Sequence, residues 1–183
     1  PTPMGIRHDA LVAAAAIVRA VRGIPARLSP EMVATVGRLD VSPNITNAIP
    51  GRVVMSVDIR DPKDENVTRA LGLLEGAVKD AAASEGVGYE LEHYWLVPRT
   101  PFHPEVVGAV ERAAQSLGVR YRRILSGAGH DAQYMAAICP TGMIFVPSRN
   151  GRSHCEEEFT AMDDIEHGAN TLLGAMLDRD IRL

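Results

Sequence analysis

The stretch that decides the fold of the first half of the chain is residues 52–60, RVVMSVDIR. Its odd-numbered positions are all apolar, whereas most of its even-numbered positions are polar or charged. Side chains of a β-strand alternate between two faces, so this pattern predicts a strand with one face in the core. Turn-forming residues occupy 42–51 (SPNITNAIPG), and an alternating stretch at 32–41 predicts the other strand of a hairpin.

Helical patterns flank this hairpin on both sides. Apolar residues at helical spacing predict a helix over 7–22, ended by Gly23 and Pro25, and another over 64–84. A further alternating stretch at 88–97 predicts another strand. Antiparallel strands with helices packed on one face form an α+β sandwich. A split βαβ unit would need one more strand before the first helix, and the sequence shows none there.

Two prolines, Pro98 and Pro101, indicate a boundary between this sandwich and the rest of the chain. We therefore predict a first domain over residues 1–99, a second over 100–183, and an α/β fold class for the whole. The second domain is expected to contain helices over 104–117, 132–138 and 163–178 (the last capped by Asp163 or Asp164), a strand over 119–125 and a buried strand over 142–146.

The composition narrows the class of protein. The chain has 183 residues, of which 46% are hydrophobic, and a net charge of −4. It is therefore long enough for a packed core, and it lacks the concentrated basic surface that nucleic acid binding requires. Its longest apolar run is too short to span a membrane. Two cysteines cannot form a disulfide framework, which favours a reducing, cytoplasmic compartment.

One loop of unusual composition is SGAGHD at residues 126–131. Its glycines would let the backbone approach a ligand closely, and His130 and Asp131 follow them directly. The spacing does not match a phosphate-binding loop, which needs a lysine and a different glycine pattern. A turn with a helix-capping aspartate explains the same residues equally well.

A second loop, at 147–158, carries His154, Cys155 and three successive glutamates. A neutral imidazole after a buried strand is a common metal ligand, although a single histidine beside an acidic run is more often a solvated surface residue. His130, Asp131 and the glutamates are the other nearby candidate ligands, and their spacing matches no zinc motif. Adjacent residues rarely form a base–nucleophile pair, which disfavours Cys155 as a nucleophile.

The first half contributes two polar side chains near the ends of its elements. Asn47 lies in the predicted hairpin turn, and Arg60 ends the second strand. A guanidinium can bind a carboxylate through two hydrogen bonds. A surface ion pair with Asp58 or Asp61 accounts for Arg60 more simply, so spacing alone assigns it no ligand.

Several motifs, in order along the chain, resemble one family. They are TPMGIRHDA (2–10), NITNAIP (44–50), VDIR (57–60), SGAGHDAQ (126–133), GMIFVPS (142–148) and NGRSHCEE (150–157). Together they closely resemble the metal-dependent amidohydrolases that include N-carbamoyl-L-amino acid hydrolase, allantoate amidohydrolase and β-ureidopropionase, within the dinuclear-zinc peptidase clan (M20-like). The resemblance covers essentially the whole chain.

This resemblance implies a role for each candidate side chain. His154 would be a metal ligand. Gly129 and His130 would bind the substrate, and His130 would also be catalytic because it would stabilise the transition state. Asn47 and Arg60 would hold the carboxylate and the ureido group of the substrate.

The resemblance also implies an architecture and partners. Residues 1–99 would form a lid or dimerisation domain, a four-stranded antiparallel sheet with two helices, whose first strand is missing here. Residues 100–183 would be the C-terminal part of the metal-binding catalytic domain. The substrate would be a small ureido acid, the cofactors two divalent ions (zinc or manganese), and the enzyme a homodimer formed through the lid.

The family's other metal ligands and its catalytic glutamate have no counterpart in this sequence and are expected upstream of it. Hydrolysis of an unactivated ureide needs a Lewis acid, a base for the attacking water and donors for the oxyanion. The 183-residue chain alone is therefore expected to be inactive. The alternatives are a non-catalytic dimerisation module, and a dipeptidase or aminoacylase of the same clan. The GAGHD and NGxSH loops favour the ureidohydrolase branch.

Overall fold

A computed structural model describes residues 2–180 of the chain. The backbone divides into two compact units, with the boundary between Arg99 and Thr100. The combination of helices with a small antiparallel sheet confirms the predicted α/β class. The assignment of the two units to a lid and a catalytic domain stays a prediction. The elements are α1 (Ala10–Leu28), β1 (Val33–Ser42), β2 (Arg52–Arg60) and α2 (Asp64–Glu85) in the first unit, and α3 (Pro104–Ser116), α4 (Ala132–Ala136) and α5 (Met162–Asp180) in the second.

The sheet of the first unit is the predicted hairpin. β1 and β2 run antiparallel, and Ser42 of β1 lies opposite Arg52 of β2. The register shifts at Gly37, which is an extra residue that bulges β1. The predicted bounds of β2 are confirmed.

Both helices of this unit pack against the face of the hairpin that the alternation predicted. Val57 and Ile59 of β2 contact a buried cluster built from α1 and α2, which includes Ile24 and Leu74. α1 begins where the side chain of Asp9 accepts hydrogen bonds from the first free N–H groups of the helix. Burial of apolar side chains therefore holds the two helices against one face of the hairpin.

α1 is longer than predicted, because Gly23 and Pro25 lie inside it rather than ending it. A proline in a helix removes one backbone hydrogen bond and crowds the preceding turn. Val21 and Ile24 are each only 2% exposed, and their burial offsets that cost. The helix therefore continues until Ser29, whose N–H donates to the carbonyl of Pro25 (3.0 Å).

Three predicted strands are absent from residues 2–180. Segments 88–97, 119–125 and 142–146 form no strand, and β1 with β2 is the one sheet found in the described part of the chain. Segment 142–146 is also half-buried to exposed rather than buried. An alternating pattern suits a sheet, but a strand forms only when a neighbour satisfies its backbone groups. The four-stranded sheet implied by the resemblance is a two-stranded hairpin here.

In the second unit, α3 and α5 pack closely through small side chains. Ala109, Ala113 and Ala175 are buried at this contact. A Cβ added at Gly174 would lie 3.0 Å from the Cβ of Ala113, so the glycine permits the close approach. The guanidinium of Arg112 in α3 also donates to the carboxylate of Asp178 in α5 (2.6 Å).

The three helices predicted for the second unit are confirmed, with small changes at their ends. Asp163 and Asp164 lie in the first turn of α5, so the prediction that one of them is the N-cap was wrong. Carboxylates in the first turn still favour the helix through its dipole. Among the described helices, none combines the length and the apolar character needed to cross a bilayer.

Candidate functional site

His154 lies on a loop whose two ends are held together. The backbone N–H of Arg149 donates to the carbonyl of Phe159 (2.8 Å). The guanidinium of Arg149 also lies over the ring of Phe159, at 4.2 Å from its centroid. We call these two contacts the clasp; it closes the loop 149–159 at its neck.

Within this loop, the backbone of His154 adopts a left-handed conformation with a φ of +59°. Its N–H donates to Oε2 of Glu158 (2.8 Å). The residue is exposed, and no hydrogen bond joins its ring to another residue in the described part of the chain. The imidazole can therefore serve as one metal ligand.

The glycine-rich segment 126–131 is a loop, as predicted, and it positions His130. Nδ1 of His130 accepts a hydrogen bond from the N–H of Ala132 (3.0 Å). An imidazole that accepts at Nδ1 carries its proton at Nε2. The exposed side of the ring is thus a hydrogen-bond donor. This histidine, and not the predicted Asp131, provides a side-chain contact to the start of α4.

The described residues do not assemble a complete metal site. No three His, Cys, Asp or Glu side chains between residues 2 and 180 lie close enough to hold one ion. The candidates considered on sequence (His130, Asp131, His154 and the glutamates at 156–158) are therefore not gathered into one group. His154 fits a metal as a single ligand, and a complete set would need further ligands from outside these residues.

Asn47 and Arg60 lie at opposite ends of β2. Asn47 is exposed in the turn that joins β1 to β2, whereas Arg60 is the last residue of β2. A strand of this length spans roughly 26 Å. Arg60 donates to both carboxylate oxygens of Asp58, from Nε to Oδ1 (3.0 Å) and Oδ2 (3.1 Å) and from Nη2 to Oδ2 (2.6 Å). The surface ion pair considered on sequence is therefore present, with side chains 46% and 52% exposed.

This ion pair gives Asp58 a testable pH dependence. The hydrogen bond from Arg60 lowers the pKa of Asp58, and burial opposes it only in part. A folded pKa below the unfolded one means that the pair stabilises the fold above the unfolded pKa, and that this stability is lost as the pH falls through the folded pKa. We expect NMR titration of the chain to place the Asp58 pKa below about 3.9, the ordinary value. Arg60→Ala should raise this pKa. An unchanged Asp58 pKa in that variant would contradict the conclusion that Arg60 lowers it.

Two features of the site were not predicted from the sequence: the clasp and the contact between His154 and Glu158. One signal was present, because Asn150-Gly151 is a dipeptide typical of left-handed turns. Both residues have positive φ values here, +57° and +65°. No local pattern, however, pairs Arg149 with an aromatic ring ten residues later.

Known sequences that are similar to this chain belong to one family. The sequence model described as peptidase family M20/M25/M40 matches residues 8–178. A relative from Paenarthrobacter aurescens, named N-carbamoyl-L-amino-acid amidohydrolase, is 39% identical over 180 residues, which are 97% of this chain and 44% of the relative. Another from Escherichia coli strain K12, named allantoate amidohydrolase, is 31% identical over 171 residues, 93% of this chain and 42% of the relative.

Solved structures show the same similarity. A hydantoinase/carbamoylase family amidase from Burkholderia vietnamiensis superposes with a TM-score of 0.93 at 44% identity, over 98% of this chain and 43% of the other. A Bacillus subtilis protein described as a dinuclear metal binding peptidase of the M20 family shares the fold, with a TM-score of 0.65 at 16% identity, over 92% of this chain and 46% of the other. The chain thus spans less than half the length of these proteins.

Proposed function

Because this chain belongs to the peptidase family M20/M25/M40, we propose that it forms part of a longer, metal-dependent amidohydrolase that cleaves the ureido C–N bond of N-carbamoyl-L-amino acids or allantoate. The observation that carries the proposal is the match of 93–97% of the chain to relatives named for these two activities. Both substrates combine a carboxylate with a ureide. The chain would contribute side chains that bind these two groups, and one metal ligand.

His154 would hold one of a pair of divalent ions, zinc or manganese. Its exposed imidazole, free of hydrogen bonds from the described residues, supports this role. The dinuclear metal binding described for the Bacillus subtilis protein of the same fold supports a pair. Bound divalent ions would polarise the ureide carbonyl and activate a water molecule.

His130 would act at the carbonyl oxygen of the ureide. Its Nδ1 is occupied by the N–H of Ala132, so its exposed Nε2–H can donate to the oxygen on which negative charge develops. Gly129 precedes it and has no side chain, which would let the substrate approach the backbone closely. The loop therefore supplies a substrate-binding glycine and a catalytic donor in sequence.

Arg60 and Asn47 would hold the substrate's carboxylate and ureido group. The contact of Arg60 with Asp58 through Nε and Nη2 supports this role, because the same two nitrogens could donate to a substrate carboxylate. The length of β2 separates Arg60 from the turn that carries Asn47, which favours a site built from two subunits.

We assign residues 1–99 to a lid that forms a homodimer, and residues 100–183 to the C-terminal part of the catalytic domain. Both cysteines of the chain are unpaired, in keeping with a cytoplasmic location.

Substitution of Arg60 in the longer protein tests this function. Arg60→Ala should raise the KM for an N-carbamoyl amino acid by roughly 10- to 100-fold, since a charge-assisted contact of about 1.5–3 kcal/mol is lost. Arg38→Ala is the matched control, because Arg38 is an exposed arginine on β1 that is likewise paired with an aspartate two residues away. An unchanged KM in Arg60→Ala, or the same change in Arg38→Ala, would reject the role of Arg60.

A further inference from the structure

We propose that Glu158 is a positioning residue, whose carboxylate holds His154 in the backbone conformation that presents its imidazole as a metal ligand. The inference rests on the proposed function, since it concerns the same ligand. It gives a role to one of three successive glutamates that the sequence alone does not distinguish. Three observations carry it: the left-handed backbone of His154, the contact of its N–H with Glu158, and the clasp beside that contact.

The first observation is the backbone of His154. Its φ of +59° places a residue with a side chain in the left-handed region, where Cβ crowds the neighbouring carbonyl. Such conformations persist only where surrounding contacts enforce them, and they cluster at functional sites. Because φ sets the direction of the Cα–Cβ bond, a return to negative φ would aim the imidazole elsewhere. Something in the loop must therefore stabilise this conformation.

The second observation identifies the stabilising group. Oε2 of Glu158 accepts the N–H of His154 at 2.8 Å. The N–H of Glu158 in turn donates to the carbonyl of Cys155 (3.1 Å). Side chain and backbone of Glu158 thus close the turn 154–158 at two points. A carboxylate that accepts from an N–H forms a charge-assisted hydrogen bond, which is stronger than a neutral one.

The third observation explains why an exposed hydrogen bond can hold. Phe159, directly after Glu158, is held by the clasp to Arg149. The backbone of Glu158 is therefore anchored at its next residue, which reduces the entropy lost when its side chain reaches His154.

The other two glutamates lack this contact. Glu157 pairs with Arg152 (3.2 Å) and its side chain is 65% exposed. Glu156 makes no hydrogen bond or ion pair with another described residue. The three residues have the same charge and lie in the same loop, so they provide internal controls for each other.

The test compares glutamate variants in the longer protein by calorimetric titration of the metal-free form with zinc. Glu158→Ala should lower zinc affinity about tenfold or more, which is typical when a residue that orients a metal ligand is lost. Glu158→Gln should stay within about threefold, because its amide oxygen can still accept the His154 N–H. Glu156→Ala is the matched control and should match the unsubstituted protein. Melting temperatures of the metal-free proteins should be similar, which separates positioning from unfolding.

A second readout uses the 183-residue chain itself. Hydrogen exchange at the His154 amide, followed by NMR, should accelerate in Glu158→Ala and not in Glu156→Ala. If Glu158→Ala does not fold, Glu158→Asp, whose carboxylate is one methylene shorter, replaces it in both measurements.

The outcomes separate this inference from the proposed function. Equal zinc affinity in the Glu158→Ala and Glu156→Ala variants, with zinc bound by the unsubstituted protein, would overturn the positioning role alone. No zinc binding by the unsubstituted longer protein would overturn the proposed function, and this inference with it. Unchanged exchange at the His154 amide in Glu158→Ala would show that the hydrogen bond is absent and would also overturn the positioning role.

Discussion

The 183-residue chain, purified alone and supplied with zinc or manganese, should release no ammonia from an N-carbamoyl amino acid. Within residues 2–180, no three metal-binding side chains lie together, so these residues offer at most two ligands to any one ion. Bound metal contributes several kcal/mol of transition-state stabilisation, and a positioned base contributes a further factor of about 10²–10⁴. In the proposed site, the donor at His130 and the guanidinium at Arg60 would have no metal-activated water to act with.

The proposed longer amidohydrolase is the positive control for that measurement. It should release ammonia with the same substrate and metal, and His154→Ala in it should abolish the activity while the protein stays folded by circular dichroism. Metal-dependent ammonia release by the 183-residue chain alone would contradict the proposed division of the site. Retention of full activity by His154→Ala would remove His154 from the metal site.

Local patterns predicted the elements that local forces determine. The alternation in 52–60 predicted the bounds of β2 because its apolar side chains share one face, where Val57 and Ile59 pack against the core. The glycine at position 86 marks the end of α2 because that backbone conformation suits glycine. Segment 88–97 has an equally clear alternation and forms no strand in the structure. The difference is a hydrogen-bonding neighbour, which no pattern within the segment can supply.

In the candidate site, too, local patterns predicted some features and contacts between separated residues determined others. Residue types and motifs selected His130, His154, Asn47 and Arg60, and the structure places all four in loops or at a strand end. The ion pair of Arg60 with Asp58 was among the interpretations of the sequence, but the contacts around His154 join residues that no periodicity links. The clasp between Arg149 and Phe159 and the contact of His154 with Glu158 follow from how the loop closes on itself. They therefore required the three-dimensional structure.

Gly86→Ala should lower the free energy of unfolding by about 2–3 kcal/mol and the melting temperature by roughly 5–10 °C. Gly86 has a φ of +64° and ends α2, with its N–H bonded to the carbonyl of Ala83 (3.3 Å) and the N–H of Val87 bonded to that of Ala82 (3.0 Å). This is the pairing of a Schellman motif, in which a side chain at the left-handed position is strained. A Cβ there would also lie 2.5 Å from Nδ1 of His8.

The cost of the backbone strain at position 86 can be separated from the cost of the steric clash, because the clash involves only His8. Nδ1 of His8 donates to the carbonyl of Glu85 (3.1 Å), so an added methyl group must displace the ring and break that bond. Thermal unfolding of Gly86→Ala, His8→Ala and the double variant forms a cycle in which the clash disappears once His8 is gone. The double variant should retain only the backbone strain and lose less stability than the two single changes added together.

Gly76→Ala, in the same helix with nothing within 4 Å of the new methyl group, is the matched control and should gain about 0.5–1 kcal/mol. Additive effects in the cycle, or equal melting temperatures for Gly86→Ala and Gly76→Ala, would show that the histidine does not close the end of α2 as described.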